Sequence, residues 1–156
     1  MTERIHLTID GQTVEAVPGE TVPTVARRNG FDIPGLCYHP RLTPTGGCRL
    51  CLVRVDGRPG TTTACTLAAA DGLTVTAFDD ELEAERRGLV DLLLAEHNCD
   101  CVVCESAGHC ELQELAYRYD LDRRSRRYPV VIRDLPCEDA SSPVLVHDPS
   151  KCILCE

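Results

Sequence analysis

Residues 37–65 read CYHPRLTPTGGCRLCLVRVDGRPGTTTAC, and Cys37, Cys48, Cys51 and Cys65 stand in it at spacings of ten, two and thirteen residues. Four thiolates on a loop and the strand after it can close around one metal centre. Gly46-Gly47, just before the central pair, lets backbone without Cβ approach that centre and aim N–H groups at it. One C-x2-C flanked by two single cysteines favours an iron–sulfur cluster over zinc, whose ribbons usually carry two matched knuckles. Zinc stays the alternative on spacing alone.

Working outward, the flanks read as a small sheet packed on one helix. Residues 4–9 and 13–17 are β-rich runs joined at Asp10-Gly11, a dipeptide that favours a hairpin turn. Pro18-Gly-Glu-Thr21 breaks the pattern, and Val22 to Asn29 reads as a short helix that Gly30 is placed to end. Leu50–Val55 and Thr61–Leu67 read as strands around the turn Asp56–Gly60, and Leu73–Ala77 as another. This order is α+β rather than a repeating βαβ one.

The character changes at Asp79. Leu82, Arg86, Leu89, Val90, Leu93 and Leu94 share one helical face, Arg86 being its only polar member, and Asp79 and Asp80 are available as N-caps. A Cys-rich loop follows, then a second helical stretch with Leu112, Leu115, Ala116 and Tyr119 on one side. Residues 123–149, interrupted by Arg and Pro, are expected to lie extended. The domains expected are thus 1–78, 79–122, and a segment 123–156.

The loop after the long helix holds His97, Cys101, Cys104 and Cys110. Four residues before a C-x2-C with a third Cys beyond, His97 qualifies as the fourth ligand. A neutral imidazole leaves a cluster with one negative charge fewer than four thiolates would, and in Rieske-type centres such an exchange raises the potential. Zinc on three Cys and one His competes here. Gly108 sits in the tightest part of this loop, where a special backbone conformation is expected. A third set, Cys152 and Cys155 in DPSKCILC, looks like the opening of the C-x2-C-x2-C-x3-C run that holds a [4Fe–4S] cluster. Its other cysteines are missing, so the site is expected to be completed by further chain or by a partner. Cys99 reads as a free thiol beside the second set, Cys137 carries no functional case, and Arg123–Arg127 reads as a solvated basic face.

Composition narrows the class. Of 156 residues, 16 are Lys or Arg and 25 Asp or Glu, a net charge of −9 that argues against nucleic acid or an anionic membrane as partner. The longest apolar stretch, Leu89–Ala95, is far short of the roughly 20 residues of a spanning helix. Met1-Thr-Glu-Arg-Ile-His-Leu-Thr has no apolar core of a secretion signal, so a cytoplasmic protein is expected. In a reducing compartment 11 cysteines point to metal ligation rather than disulfides. No Ser-His-Asp set, phosphate-cradling glycine motif or paired carboxylate site stands out, so no catalytic residue is expected within the chain.

The order of the three cysteine sets resembles the N-terminal iron–sulfur region shared by the catalytic subunit of NAD-dependent formate dehydrogenases, iron-only hydrogenases and the largest peripheral subunit of complex I. The diaphorase-side small subunit of NAD-reducing hydrogenases is similar. The resemblance implies a β-grasp [2Fe–2S] domain with ligands Cys37, Cys48, Cys51 and Cys65. It implies a helical [4Fe–4S] domain with ligands His97, Cys101, Cys104 and Cys110, then the start of a two-cluster domain at Cys152 and Cys155. CESAGHCELQELAY from Cys104 and DPSKCILC from Asp148 look most like the formate dehydrogenase and hydrogenase branch. One departure is His97-Asn-Cys-Asp-Cys101, where the family commonly has His-Pro-Leu-Asp-Cys. Another is that neither a molybdopterin nor a hydrogen-cluster domain is present. The expected function is an electron relay between flavin- and NAD-binding diaphorase-type subunits and a catalytic centre, foremost that of formate dehydrogenase, with a hydrogenase or complex I-like enzyme as the alternative. A zinc-stabilised adaptor is the alternative from another class.

Overall fold

The computed structural model describes residues 4–122, 125, 127–131 and 138–155. Cys137 and the arginines at 123, 124 and 126 lie outside them. Alternation sets the first hairpin. In β1 (Ile5–Ile9), Leu7 and Ile9 point inward, and in β2 (Gln12–Ala16) Val14 and Ala16 do the same. Asp10 and Gly11 between them take φ of +48° and +80°, the left-handed pair that a two-residue hairpin turn requires. Helix α1 (Val22–Arg28) opens on Pro23, whose fixed φ suits a first turn, and buries Val22, Val25 and Ala26. Gly30, at φ +85°, ends it, with its N–H on Arg27 O and the N–H of Phe31 on Ala26 O.

Three short strands complete the sheet: β3 (Leu52–Val55), β4 (Thr62–Thr63) and β5 (Thr74–Thr76), in the order β2-β1-β5-β3-β4. β1 and β5 run parallel, Thr8 opposite Thr74, and the other pairings are antiparallel. The result is the α+β arrangement expected, a mixed sheet with one helix over it. Its core joins Leu7, Ile9, Val25, Val53 and Val75 to two of the thiols, Cys51 and Cys65.

The Thr61–Leu67 strand needs correcting. Only Thr62 and Thr63 pair, and Ala64–Thr66 turn into a 3₁₀ helix. The Thr66 hydroxyl donates to Thr63 O at 3.1 Å, a local bond that draws the chain out of the ladder. Leu50 and Cys51 likewise precede their strand, with Cys51 O accepting from Ala64 N at 2.8 Å.

The chain divides into two compact units, the first up to Arg86 and the second Arg87–Cys155. Helix α2 (Asp80–Glu96) is capped by Asp79, whose Oδ1 accepts from Leu82 N at 2.8 Å, with three acidic residues in its first turn. In the second unit α2 buries Val90, Leu94 and Ala95, and α3 (Glu111–Arg118) buries Leu112, Leu115 and Ala116. Asp91 is also buried there and accepts the N–H of Arg127 at 2.6 Å. Beyond α3, Asp139 and His147 exchange two backbone hydrogen bonds, and Pro149–Lys151 form one 3₁₀ turn. Among the described residues no helix is long and apolar enough to cross a membrane.

Candidate metal centres

Backbone geometry gathers the first four thiols. The N–H of Cys48 points at Cys37 Sγ at 3.4 Å, that of Leu36 at Cys48 Sγ at 3.4 Å, and that of Cys65 at Cys51 Sγ at 3.5 Å. Such donors favour the thiolate form and draw charge from a metal-bound sulfur. Gly46, at φ +67°, lies so close to the 3₁₀ turn that a Cβ would stand 3.2 Å from Thr66 Cγ2 and 3.4 Å from Thr63 Oγ1. Beside Cys37, Tyr38 closes the loop onto α1, its hydroxyl 2.6 Å from those of both Thr21 and Thr24.

Burial acts unequally on three of them. It pushes the Cys51 thiol up to about 12, with the facing Cys65 adding to the effect against that residue's own N–H. Burial also raises Cys48 against the N–H groups of Leu36 and Leu50. Cys37 is different: burial pushes it up, yet hydrogen bonds from Cys48, Thr45 and Gly47 outweigh that and leave it below the usual thiol value. Metal bound here must displace protons from Cys48 and Cys51, whose neutral form burial favours, and its affinity is folding energy as well.

The residues of the second set come together. His97, Cys101, Cys104 and Cys110 line one cavity of about 180 Å³. Successive turns shape the loop, Cys104 N on Cys101 O and Ala107 N on Cys104 O. Gly108, at φ +82°, gives its N–H to Gln113 Oε1 at 2.8 Å, which ties the loop to α3. Gln113, Ser150 and Lys151 line the same cavity, three residues that spacing rules had no means of finding. Cys99 lies against the end of α2, its Sγ 3.3 Å from His97 O and 3.4 Å from Leu94 O, and with His97, Cys101 and Cys110 it lines a second hollow.

Of the third set, Cys152 is half-buried and accepts the N–H of Leu154 at 3.4 Å, while Cys155 is exposed. Their approach through Ser150 and Lys151 places this stub beside the second set. Among the described residues no three His, Cys, Asp or Glu side chains are closed around a single ion position. Both complete sets fit clusters: four thiols with N–H groups aimed at sulfur in one, a cavity shared by an imidazole and three thiols in the other.

Comparison with known proteins bears on both. Residues 2–79 match the family described as a 2Fe-2S iron-sulfur cluster binding domain, and residues 86–125 match the NADH-ubiquinone oxidoreductase-G iron-sulfur binding region. The chain is 38% identical over 97% of its length to the G 2 subunit of the NADH-quinone oxidoreductase of Rhizobium meliloti, of which it spans 18%. It is also 38% identical, over 97% of its length, to the gamma subunit of the NAD-reducing hydrogenase HoxS of Cupriavidus necator, of which it spans 63%. A crystal structure of an NAD+-reducing [NiFe]-hydrogenase in its H2-reduced state contains a chain with 40% identity and a TM-score of 0.85, over 97% of this chain and 62% of that one.

Proposed function

Because the chain belongs to the 2Fe-2S iron-sulfur cluster binding domain family, continued by an iron–sulfur region of the NADH-ubiquinone oxidoreductase G type, we propose that it relays electrons within a multi-subunit NAD(P)-linked oxidoreductase. Its cofactors are a [2Fe–2S] and a [4Fe–4S] cluster. Cys37, Cys48, Cys51 and Cys65 hold the first, within a domain of residues 1–78. His97, Cys101, Cys104 and Cys110 hold the second, within residues 79–122. Cys152 and Cys155, in the segment 123–156, contribute to a further [4Fe–4S] site. The observation that carries this reading is the convergence of His97 and three thiols on one cavity, in a chain that gathers four other thiols elsewhere.

Bound there, the clusters supply one-electron transfer without proton exchange. The chain's own residues hold them and set their environment. Burial of Cys51 and Cys65 keeps water from one side of the first site. The N–H groups of Leu36, Cys48 and Cys65 reduce charge on sulfur and thereby favour the reduced state. At the second site, His97 contributes a neutral donor where a fourth Cys would add a negative charge.

The partners proposed are flavin- and NAD-binding diaphorase-type subunits on one side and a catalytic centre on the other, in the cytoplasm. The segments from Cys104 and Asp148 favour formate dehydrogenase as that centre. The HoxS gamma chain, spanned over 63% of its length, favours a hydrogenase. Reconstitution decides between them. NADH with a diaphorase-type subunit should bleach the brown chain, which NADH alone leaves coloured. The bleached state should also form from formate with a formate dehydrogenase catalytic domain, or from hydrogen with a hydrogenase one. Failure of the diaphorase step overturns the relay.

A further inference from the structure

Arg86 is fully buried, a cation in the core of a chain with a net charge of −9. Its Nη2 donates to Leu52 O and to Ala77 O, the latter at 2.7 Å, and its Nη1 pairs with Glu83. The guanidinium lies 5.2 Å from the centre of the Phe78 ring. Its two carbonyl acceptors lie beyond the last β3–β5 pair, Arg54 and Thr76, so one guanidinium nitrogen bridges the two strand ends. Leu52 follows Cys51 directly, and the Cys51 carbonyl and sulfur are in turn tied to Ala64 N and Cys65 N.

A staple for the sheet would need no charge. Burying a guanidinium is costly unless its charge and all its N–H groups are answered. Here the answer is incomplete. Glu83, its one carboxylate partner among the described residues, is 36% exposed, so solvent screens the pair. The Nε–H is buried and has no acceptor among those residues. An anion able to balance this cation is the set of four thiolates around a [2Fe–2S] core, dianionic when oxidised and trianionic when reduced, to which Arg86 is linked through Leu52 and the adjoining Cys51.

We infer that Arg86 is a positioning residue whose buried charge raises the reduction potential of the site at Cys37, Cys48, Cys51 and Cys65. This rests on the ligand reading of the preceding section. A fixed positive charge in a low-dielectric core favours the more negative of two redox states. The step it biases adds one electron, from dithionite in the test, converting one ferric ion to ferrous with no bond broken and no proton moved.

The test is an EPR-monitored redox titration of the full chain, purified anaerobically, with the second cluster's signal as internal reference. Arg86→Met should lower the midpoint of the [2Fe–2S] signal and leave the other in place. Arg86→Lys, which keeps the charge but loses the fork, should stay near the wild-type midpoint even where stability falls. Glu83→Gln, at a half-exposed position, should raise the midpoint by leaving the cation less neutralised. An unchanged midpoint in Arg86→Met, or an equal fall in Arg86→Lys, overturns the proposal. Where Arg86→Met does not fold, Glu83→Gln decides: an upward shift supports the proposal and no shift overturns it. A signal that survives Cys51→Ser unaltered removes the ligand reading and this proposal together. A signal lost in Cys51→Ser, yet insensitive to Arg86 and Glu83, overturns the Arg86 role alone.

Discussion

At Gly46 a methyl group would have to enter a gap bounded by Thr66 Cγ2 and Thr63 Oγ1, on backbone at φ +67°. The left-handed conformation alone costs a non-glycine residue about 1–2 kcal/mol, and the crowding adds to it. Gly46→Ala should therefore lower the melting temperature and deplete the [2Fe–2S] absorption while sparing the second cluster; full retention of both would show that the loop yields. His97→Ala should spare the [2Fe–2S] EPR signal and lose or alter the other, and two unchanged signals would refute the ligand assignment. Cys99→Ser should leave both clusters intact, because that sulfur faces the carbonyls of Leu94 and His97 at the end of α2. The candidate ligands could be read as sets because thiol spacing is a chemical constraint written along the chain. The groups that tune them were not. Backbone N–H donors carry no residue identity, and Gln113, Ser150 and Lys151 reach the second cavity through tertiary packing alone.

Among the elements, β1, β2 and α1 follow from local rules, since alternation, a left-handed Asp-Gly turn and a glycine stop act over a few residues. α2 was legible for the same reason, down to its Asp79 cap and the inward Arg86. The strand anticipated at Thr61–Leu67 was not, because side-chain hydrogen bonds within Thr63–Thr66 and the tie from Cys65 N to Cys51 Sγ outcompete β propensity there. One prediction belongs to the joint of β2 and α1. Arg28 beside Glu20 holds that carboxyl below its usual value, helped by the N–H of Val17 against the effect of burial. A folded-state value depressed in this way stabilises above the unfolded value and is lost as pH falls through the folded one. Glu20→Gln should thus cost up to about 1 kcal/mol at neutral pH, a surface pair being worth little. In thermal melts the gap should close below about pH 4; a gap constant with pH would assign it to packing.

For the molecule as a whole, the sequence arithmetic and the structure address different questions. Charge and cysteine count pointed away from nucleic acid and towards metal, and the structure then places the two complete candidate sets in separate units, Cys37, Cys48, Cys51 and Cys65 in the first and His97, Cys101, Cys104 and Cys110 in the second. What spacing left open, iron–sulfur or zinc, is answered as iron–sulfur by the two family matches, and the N–H groups aimed at sulfur in the assembled first site fit that answer. The terminal substrate is not legible on this scale, because the chain spans 18% of the R. meliloti protein and 63% of the hydrogenase one. The most direct test of the relay is iron and acid-labile sulfide per chain in anaerobically purified protein, with EPR after reduction. Two complete sites require about six irons and six sulfides, together with two distinct reduced signals. Stoichiometric zinc without sulfide, in protein never exposed to air, would contradict the account and leave a structural metal protein in its place.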